Sequence, residues 1–394
     1  GGGMSPLAHR LARSTALAAL LALGAAACGT SGSATDTPAP NPTDASPTPA
    51  ALAYDPTAVI SKSVLGPGRV LAALPTAEGG TRVLVNDRLP GAELGCEGMP
   101  LEGLLALDDL GNAVPVLAAD GGSIVNGVSI AVPPGPLHEG SLVAFSSMCE
   151  GFTSQVLVGT LGADGIPAGI VAIAGFEGSQ PDRVAGAPEF DTLVDMTWTP
   201  DSSRLLLVTS AYNFDAPERP DNRLWAYDPV SATWTERTDA PEGIQRALET
   251  ASGVLVTMEA ESMLYGGHEF SRDGASNFVL APDAETIAVV GPQQLRLITS
   301  DGAITPIVDG NIGVAEFLPD GSGLIYTRTL PSASGVRFAY VSLDGETNVD
   351  LGTRYWGWFA VAPDGSGLYV TAGDLGADGY TDSKAELWSF APLA

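Results

Sequence analysis

Short apolar stretches alternate along most of this chain with turns built on Pro, Asp and Gly. The pattern is sharpest in TWTPDSSRLLLVTS (197–210), VLAPDAETIAVV (279–290), EFLPDGSGLIYTRT (316–329) and AVAPDGSGLYVTA (360–372), each predicting a strand, a Pro-Asp turn and a second strand. Proline ends the first ladder because it has no N–H, aspartate bonds the backbone two residues on, and glycine accepts positive φ. GIQRALETASGVLVTM (243–258) keeps the outline without the Pro-Asp, and RVLAALPTAEGGTRVLVND (69–87) and VSIAVPPGPLHEGSLVAFSS (128–147) repeat it upstream. A further short apolar strand follows each unit, at 104–107, 155–158, 224–227, 263–265, 295–298, 338–341 and 387–390.

Seven such units between residues 54 and 394 allow about 49 residues each, the size of a four-stranded propeller blade. The sequence therefore predicts an all-β fold, a β-propeller of seven four-stranded blades over 54–394, with six blades if the weak unit at 243–277 merges with its neighbour, or eight. The last unit ends after its third strand, and a lone apolar strand at 57–64 precedes the first. That strand is expected to complete the last blade and close the ring, leaving no open sheet edge. The hydrophobic–Pro-Asp-(Gly/Ser)–x–hydrophobic strand motif resembles the PD40, or TolB-like and WD40-like, repeats of bacterial β-propellers. The resemblance implies the fold and is nearly silent on chemistry, because such propellers serve as docking modules, ligand binders and enzyme accessories.

The N-terminal region reads differently. Residues 1–3 precede Met4 and look like a tag remnant; His9, Arg10 and Arg13 then form a basic segment before an apolar run at 16–23 and small residues at 24–27. This is the layout of an export signal, and the run is shorter than the ~20 residues a membrane span needs. Ala25-Ala26-Ala27-Cys28 resembles a bacterial lipobox, with Ala25 where Leu is usual. The resemblance implies cleavage after residue 27 and a diacylglyceryl thioether on Cys28. Residues 28–53, rich in Pro, Thr, Ser and Ala, are too poor in large apolar side chains to offset their ordering entropy and read as a tether. The expected location is the outer face of the cytoplasmic membrane or a periplasmic membrane face, with the lipid as the only anchor.

Charge narrows the partners. Against 18 Lys and Arg stand 46 Asp and Glu, a formal charge of −28, which repels phosphate backbones. Nucleic acid is excluded as a partner, and a monomer is expected. Cys96 and Cys149 remain as an even pair in an exported chain, either a disulfide or two buried thiols. Only His138 and His268 follow the signal segment, both in turns, and no nucleophile elbow or metal-binding histidine motif exists. No catalytic residue and no cofactor are expected, and a hydrolase or lyase ranks third among the functions. Asp374, Asp378 and Asp382 recur four apart in GDLGADGYTDSKAE, a set of oxygens that breaks the EF-hand pattern at Gly376 and Ala385 and reads first as an acidic solvated loop, with a calcium site as the alternative.

Loop length locates the candidate binding face. Pro-Asp turns join first to second strands at one rim; second-to-third loops and blade crossovers lie at the other, which collects the long segments. There stand Tyr212 and Phe214 beside Asp215, Glu218 and Asp221, then Tyr355, Trp356 and Trp358, and Tyr380. Aromatics among carboxylates suit docking. The sequence thus predicts an envelope lipoprotein whose propeller is a non-catalytic protein-interaction or scaffold module, with a carbohydrate or small-solute binder using Tyr355, Trp356 and Trp358 as the alternative.

Overall fold

A computed structural model describes residues 53–88, 102–117, 128–134, 136–149, 152–175, 187–188, 190, 192–211, 221–330, 335–373 and 383–393. Every regular element among them is a strand. The first, β1 (Tyr54–Pro67), stands apart from the unit that follows it. Blade 1 is β2 (Arg69–Pro75), β3 (Thr81–Arg88), β4 (Glu102–Leu107) and β5 (Ala113–Leu117). Blade 2 is β6 (Val128–Ala131), β7 (Leu142–Cys149), β8 (Phe152–Leu161) and β9 (Pro167–Gly175). Blade 3 comprises β10 (Thr192–Trp198), β11 (Leu205–Ala211), β12 (Asp221–Asp228) and β13 (Thr233–Glu236). The degenerate unit forms its own blade 4, with β14 (Arg246–Glu249), β15 (Leu255–Met258), β16 (Ser262–Tyr265) and β17 (His268–Ser271). Blade 5 is β18 (Asn277–Leu280), β19 (Ile287–Val290), β20 (Gln294–Ile298) and β21 (Ile304–Asp309). Blade 6 is β22 (Ile312–Phe317), β23 (Gly323–Thr329), β24 (Val336–Ser342) and β25 (Asn348–Arg354), and β26 (Phe359–Val361), β27 (Gly367–Ala372) and β28 (Lys384–Pro392) begin blade 7.

These make seven antiparallel four-stranded sheets, the last with the order β1-β28-β27-β26. The fold is a seven-bladed β-propeller, and the strand preceding the first unit is indeed the outer strand of the last blade. Tyr54 pairs with Pro392 and Pro67 with Lys384. At the far end the Leu393 N–H donates to the Ala53 carbonyl at 2.8 Å, so the first and last strands of the propeller meet along their length.

The apolar core is divided into layers between neighbouring blades, as alternation on a two-faced sheet requires. Leu74, Leu84 and Leu104 of blade 1 pack on Val143, Phe145 and Leu157 of blade 2. Five further layers join successive blades through to blade 7. The seventh joins Ala360, Tyr369 and Ala385 of blade 7 to Val70, Val83 and Leu107 of blade 1, and so closes the circle. Each fully buried Leu or Phe in these layers contributes about 1.5–3 kcal/mol.

Local chemistry sets the turns. Asp283 Oδ1 accepts the N–H groups of Glu285 and Thr286, both at 2.8 Å, and Asp320 and Asp364 each accept an N–H two residues on at 2.9 Å. The residue after each of these aspartates adopts positive φ: Gly321 and Gly365 at 72°, Ala284 at 56° and, after Asp201, Ser202 at 58°. Glycine takes this conformation freely, whereas Ser202 and Ala284 hold it against steric cost.

The closing strand is fastened by one of the two lysines of the chain. Lys62 Nζ lies 3.4 Å from the centre of the fully buried Trp388 ring and donates to the Leu351 carbonyl at 3.0 Å. The Arg354 guanidinium lies 4.8 Å from the same ring and pairs with Glu386, which also accepts the Trp388 indole N–H at 2.9 Å. Burial and the nearby Arg354 charge lower the Lys62 pKa. Replacing the ammonium with a methyl-capped chain removes the cation–π contact, worth about 0.5–2 kcal/mol. Lys62→Met is therefore expected to lower Tm by about 1–4 °C in a calorimetric scan. A chain starting at Tyr54 is expected to fold with unchanged Tm, while one starting at Gly68 exposes the β28 edge and is expected to lose cooperative unfolding or to aggregate. Equal melting of the two truncations would show that β1 does not close the ring.

Candidate functional site

The two rims of the ring differ in how their polar groups are used. At the rim carrying the Pro-Asp turns, the aspartates are occupied by their own backbone, as described above. His138 lies in the β6–β7 turn of this rim, exposed, with Nδ1 2.7 Å from the Glu139 carbonyl oxygen. His268 opens β17 on the same rim, exposed, against the Asp301–Gly302 turn of blade 5. Both histidines of the propeller thus stand in turn structure, away from the opposite rim.

The crossover rim holds the aromatic cluster. Residues 355–358 run from β25 to the innermost strand β26, so their side chains stand at the junction of blades 6, 7 and 1. Tyr355 meets Trp356 edge-on with ring centres 4.9 Å apart, and Trp356 stacks on Trp358 at 5.0 Å and 25°. The guanidinium of Arg69, the first residue of β2, lies 4.9 Å from the centre of the Trp358 ring. Trp358 remains 38% exposed, while the Trp356 indole nitrogen is shielded from solvent without a hydrogen-bond partner. Of the sequence-predicted face, the structure brings these three together. Cys149 ends β7 and Asp221 begins β12, which places both positions at the crossover rim. Cys28, Cys96, Tyr212, Phe214, Asp215, Glu218, Asp374, Asp378, Tyr380 and Asp382 lie outside the described residues.

A second feature on this rim carries no mark in the sequence pattern. Between blades 3 and 4 the apolar layer holds only six buried residues among those described, and polar groups flank it at both ends. On the turn side the buried Glu249 carboxylate receives Arg204 at 2.6 Å and Arg237 at 2.9 Å. On the crossover side Arg246 pairs with Asp195 at 3.3 Å, and Asn222 donates to the Ile244 carbonyl at 2.7 Å. Burial raises the Asp195 pKa, a shift that Arg246 and the Ala247 N–H oppose. This crossover end opens into a pocket of about 370 Å³ lined by Thr192, Ser210, Asn222, Gln245, Arg246 and Arg272 among others. The pocket lies in blades 3 to 5, whereas the tryptophans lie at blades 6, 7 and 1.

One buried acid is also new. Glu316 projects from the innermost strand of blade 6 toward blade 7, where its Oε2 accepts the Val361 N–H at 3.2 Å. No ion pair compensates it among the described residues, and burial pushes its pKa up to about 8. In the repeat, Thr197 holds the matching place in blade 3, where its hydroxyl donates to the Ala247 carbonyl at 2.8 Å. Nothing in the local sequence EFLPD distinguishes this acid from a surface one.

No family model matches the chain, and no curated protein does. Among solved structures it is similar to puromycin hydrolase, at 13% identity and a TM-score of 0.51, over 83% of this chain and 53% of that one. It is similar also to the Dos1 propeller, at 10% identity and a TM-score of 0.48, over 85% and 95% of the two chains. TolB from Acinetobacter baumannii follows at 16% identity and a TM-score of 0.43, over 74% and 64%. The chain thus spans less than two thirds of the hydrolase and of TolB. The likeness to the hydrolase agrees with the propeller architecture and extends to the fold alone.

Glu316 yields a signed pH effect. The folded protein keeps this proton up to about pH 8, while an unfolded chain releases it near 4.5. The stabilisation linked to protonation is therefore full below about 4.5 and is lost as pH rises through 8. Glu316→Gln, which still offers an oxygen to the Val361 N–H, is expected to raise Tm by about 2–5 °C at pH 9 and to leave it nearly unchanged at pH 5. A Tm difference equal at both pH values would contradict a buried, protonated Glu316.

Proposed function

We propose that this propeller is a non-catalytic docking module, that its crossover rim receives a protein partner, and that Cys28, lipidated, holds it at the cell envelope. One observation carries the docking reading: the aromatic cluster, exposed at Trp358 and half-buried at Tyr355 and Trp356, is separate from the pocket. Tyr355, Trp356 and Trp358 pack on each other, Trp358 also meets the Arg69 guanidinium, and none of the three lines the pocket beside blades 3 and 4. Trp, Tyr and Arg at one spot is the composition of an interface anchor, since these side chains present large rigid area at low entropic cost. A sugar or small-solute site would need those rings to line a concavity.

The location of the histidines supports the non-catalytic part, because the general bases most available near neutral pH stand on the other rim. The envelope part rests on the sequence around Cys28 and on the acidic charge of the chain, which suits a solvated exported surface.

Two measurements test this. A photo-crosslinking residue at position 355 in native cells is expected to capture one protein repeatedly, while the same probe at Val230, 94% exposed on a turn between β12 and β13, captures none. Trp358→Ala is expected to cut that capture at least 10-fold, as for a hot-spot anchor. Equal capture at both positions, or capture indifferent to Trp358→Ala, would remove the docking assignment; competition by soluble oligosaccharides would replace it with the carbohydrate reading. Cys28→Ala is expected to move the protein from the membrane to the soluble fraction, and retention in the membrane would rule out the lipid anchor.

A further inference from the structure

The pocket between blades 3 and 4 carries charge of a kind rare in this chain. Its frame is the start of successive innermost strands: Thr192 and Val194 of β10, Arg246 of β14, and Ser276 immediately before β18, with Met258 and Arg272 completing it. Arg246 uses Nη1 twice, toward Asp195 at 3.3 Å and toward the Asn277 side-chain oxygen at 2.7 Å. Arg272 is held by neutral acceptors only. Its Nε donates to the Ala275 carbonyl at 2.6 Å, and its Nη1 donates to Gln245 Oε1 at 2.6 Å and to the Glu259 carbonyl at 2.8 Å. Among the described residues the Nη2 groups of both arginines make no hydrogen bond, and Arg272 has no carboxylate partner. Among the described residues two guanidiniums therefore face one carboxylate, an excess of one positive charge in a chain whose formal charge is −28.

An arginine fixed by carbonyls with one donor edge left open is oriented in advance for a planar anion, which a carboxylate matches in shape and charge. The single excess charge favours a monoanion; a dianionic phosphate would leave a negative charge beside Asp195. Val194, 37% exposed, puts apolar surface next to the guanidiniums, above the buried Met258, which suits a carboxylate bearing an apolar substituent. The volume, about 370 Å³, falls at the small end of the range of ~300–1,000 Å³ for small-ligand sites. It admits a terminal residue or a small acid.

We propose that this pocket is a monocarboxylate-binding site, with Arg272 and Arg246 on the carboxylate and its apolar substituent against Val194. The carboxylate belongs either to a peptide C-terminus or to a free small carboxylic acid. The site is distinct from the tryptophan patch, and its test needs no protein partner.

Titration calorimetry on the full chain would compare acetyl-Ala-Leu as the free acid, the same peptide as its C-terminal amide, isovalerate, and inorganic phosphate. The free-acid peptide is expected to bind saturably, with the amide at least 10-fold weaker. Because Arg272 also ties down backbone carbonyls, Arg272→Gln is paired with Ser276→Asp, which sets a competing carboxylate at the exposed rim without removing a structural bond. Ser276→Asp is expected to weaken binding at least 10-fold with Tm retained. A peptide acid at least 10-fold tighter than isovalerate identifies a peptide terminus as the source, and isovalerate as tight as the peptide identifies a small free acid. Equal binding of acid and amide, tighter binding of phosphate, no binding of either acid at 10 mM, or indifference to Ser276→Asp would each overturn the assignment.

Discussion

The structure depends on apolar contact between the flat faces of neighbouring sheets. No single blade has a core of its own; each buries its two faces only against the blades beside it. Such an arrangement is stable when the first face meets the last, and the layer formed by Val70, Leu107, Ala360 and Tyr369 is where that happens. β1 serves this layer twice. It completes the last sheet, and its end packs against blade 1, where Gly111 at φ 82° brings its turn against the Leu65 carbonyl so closely that a side chain would collide. Here the sequence needs glycine for space as well as for conformation.

Closing the ring divides the molecule into two unequal rims. One has its acids bound into turns by their own backbone, so little polar capacity is left for a ligand. The other receives the crossovers, whose lengths are free to vary because no ladder constrains them. The aromatic cluster with its exposed Trp358, the Arg246–Asp195 pair at one end of the thin layer between blades 3 and 4, and the two arginines of the pocket all fall at that end. Division of labour between scaffold rim and binding rim follows from strand order alone, before any particular ligand is considered.

Much of this was legible in the sequence because the repeat is written in turn chemistry. Pro200-Asp201, Pro282-Asp283, Pro319-Asp320 and Pro363-Asp364 mark the first turn of four of the seven blades, and the strand–turn–strand outline around them finds the rest. Blade 4 was readable from its apolar outline even without that mark, because Ala247, Leu248, Val256 and Met258 supply apolar side chains to strands buried on both faces. The Tyr355–Trp358 run was readable as well, since it puts three aromatics into a crossover segment that has no strand alternation to bury them. Arg246, Arg272 and Glu316 were not. Arg246 and Glu316 take their significance from residues 31 to 51 positions away on neighbouring blades, Asp195 and Asn277 for Arg246 and Val361 for Glu316. Arg272 takes its own from acceptors in the turns around blade 4. Pairings between blades leave no trace in local spacing, and a lone Arg or Glu at a strand end looks the same whether it faces water or a partner.

The pairing of the propeller's first and last strands has a kinetic meaning. A linear stack of repeats can lose its terminal unit while the rest persists, because that unit has one neighbour. In this ring each blade has two, and the strand next to Ala53 is knitted to the strand before Leu393 within one sheet. Fraying therefore cannot start at an end without parting the β1–β28 ladder and the layer behind it together. Loss of structure becomes a rare, concerted event with a high barrier, and the lifetime of the folded ring is set by how fast that one ladder opens rather than by the equilibrium stability of any blade.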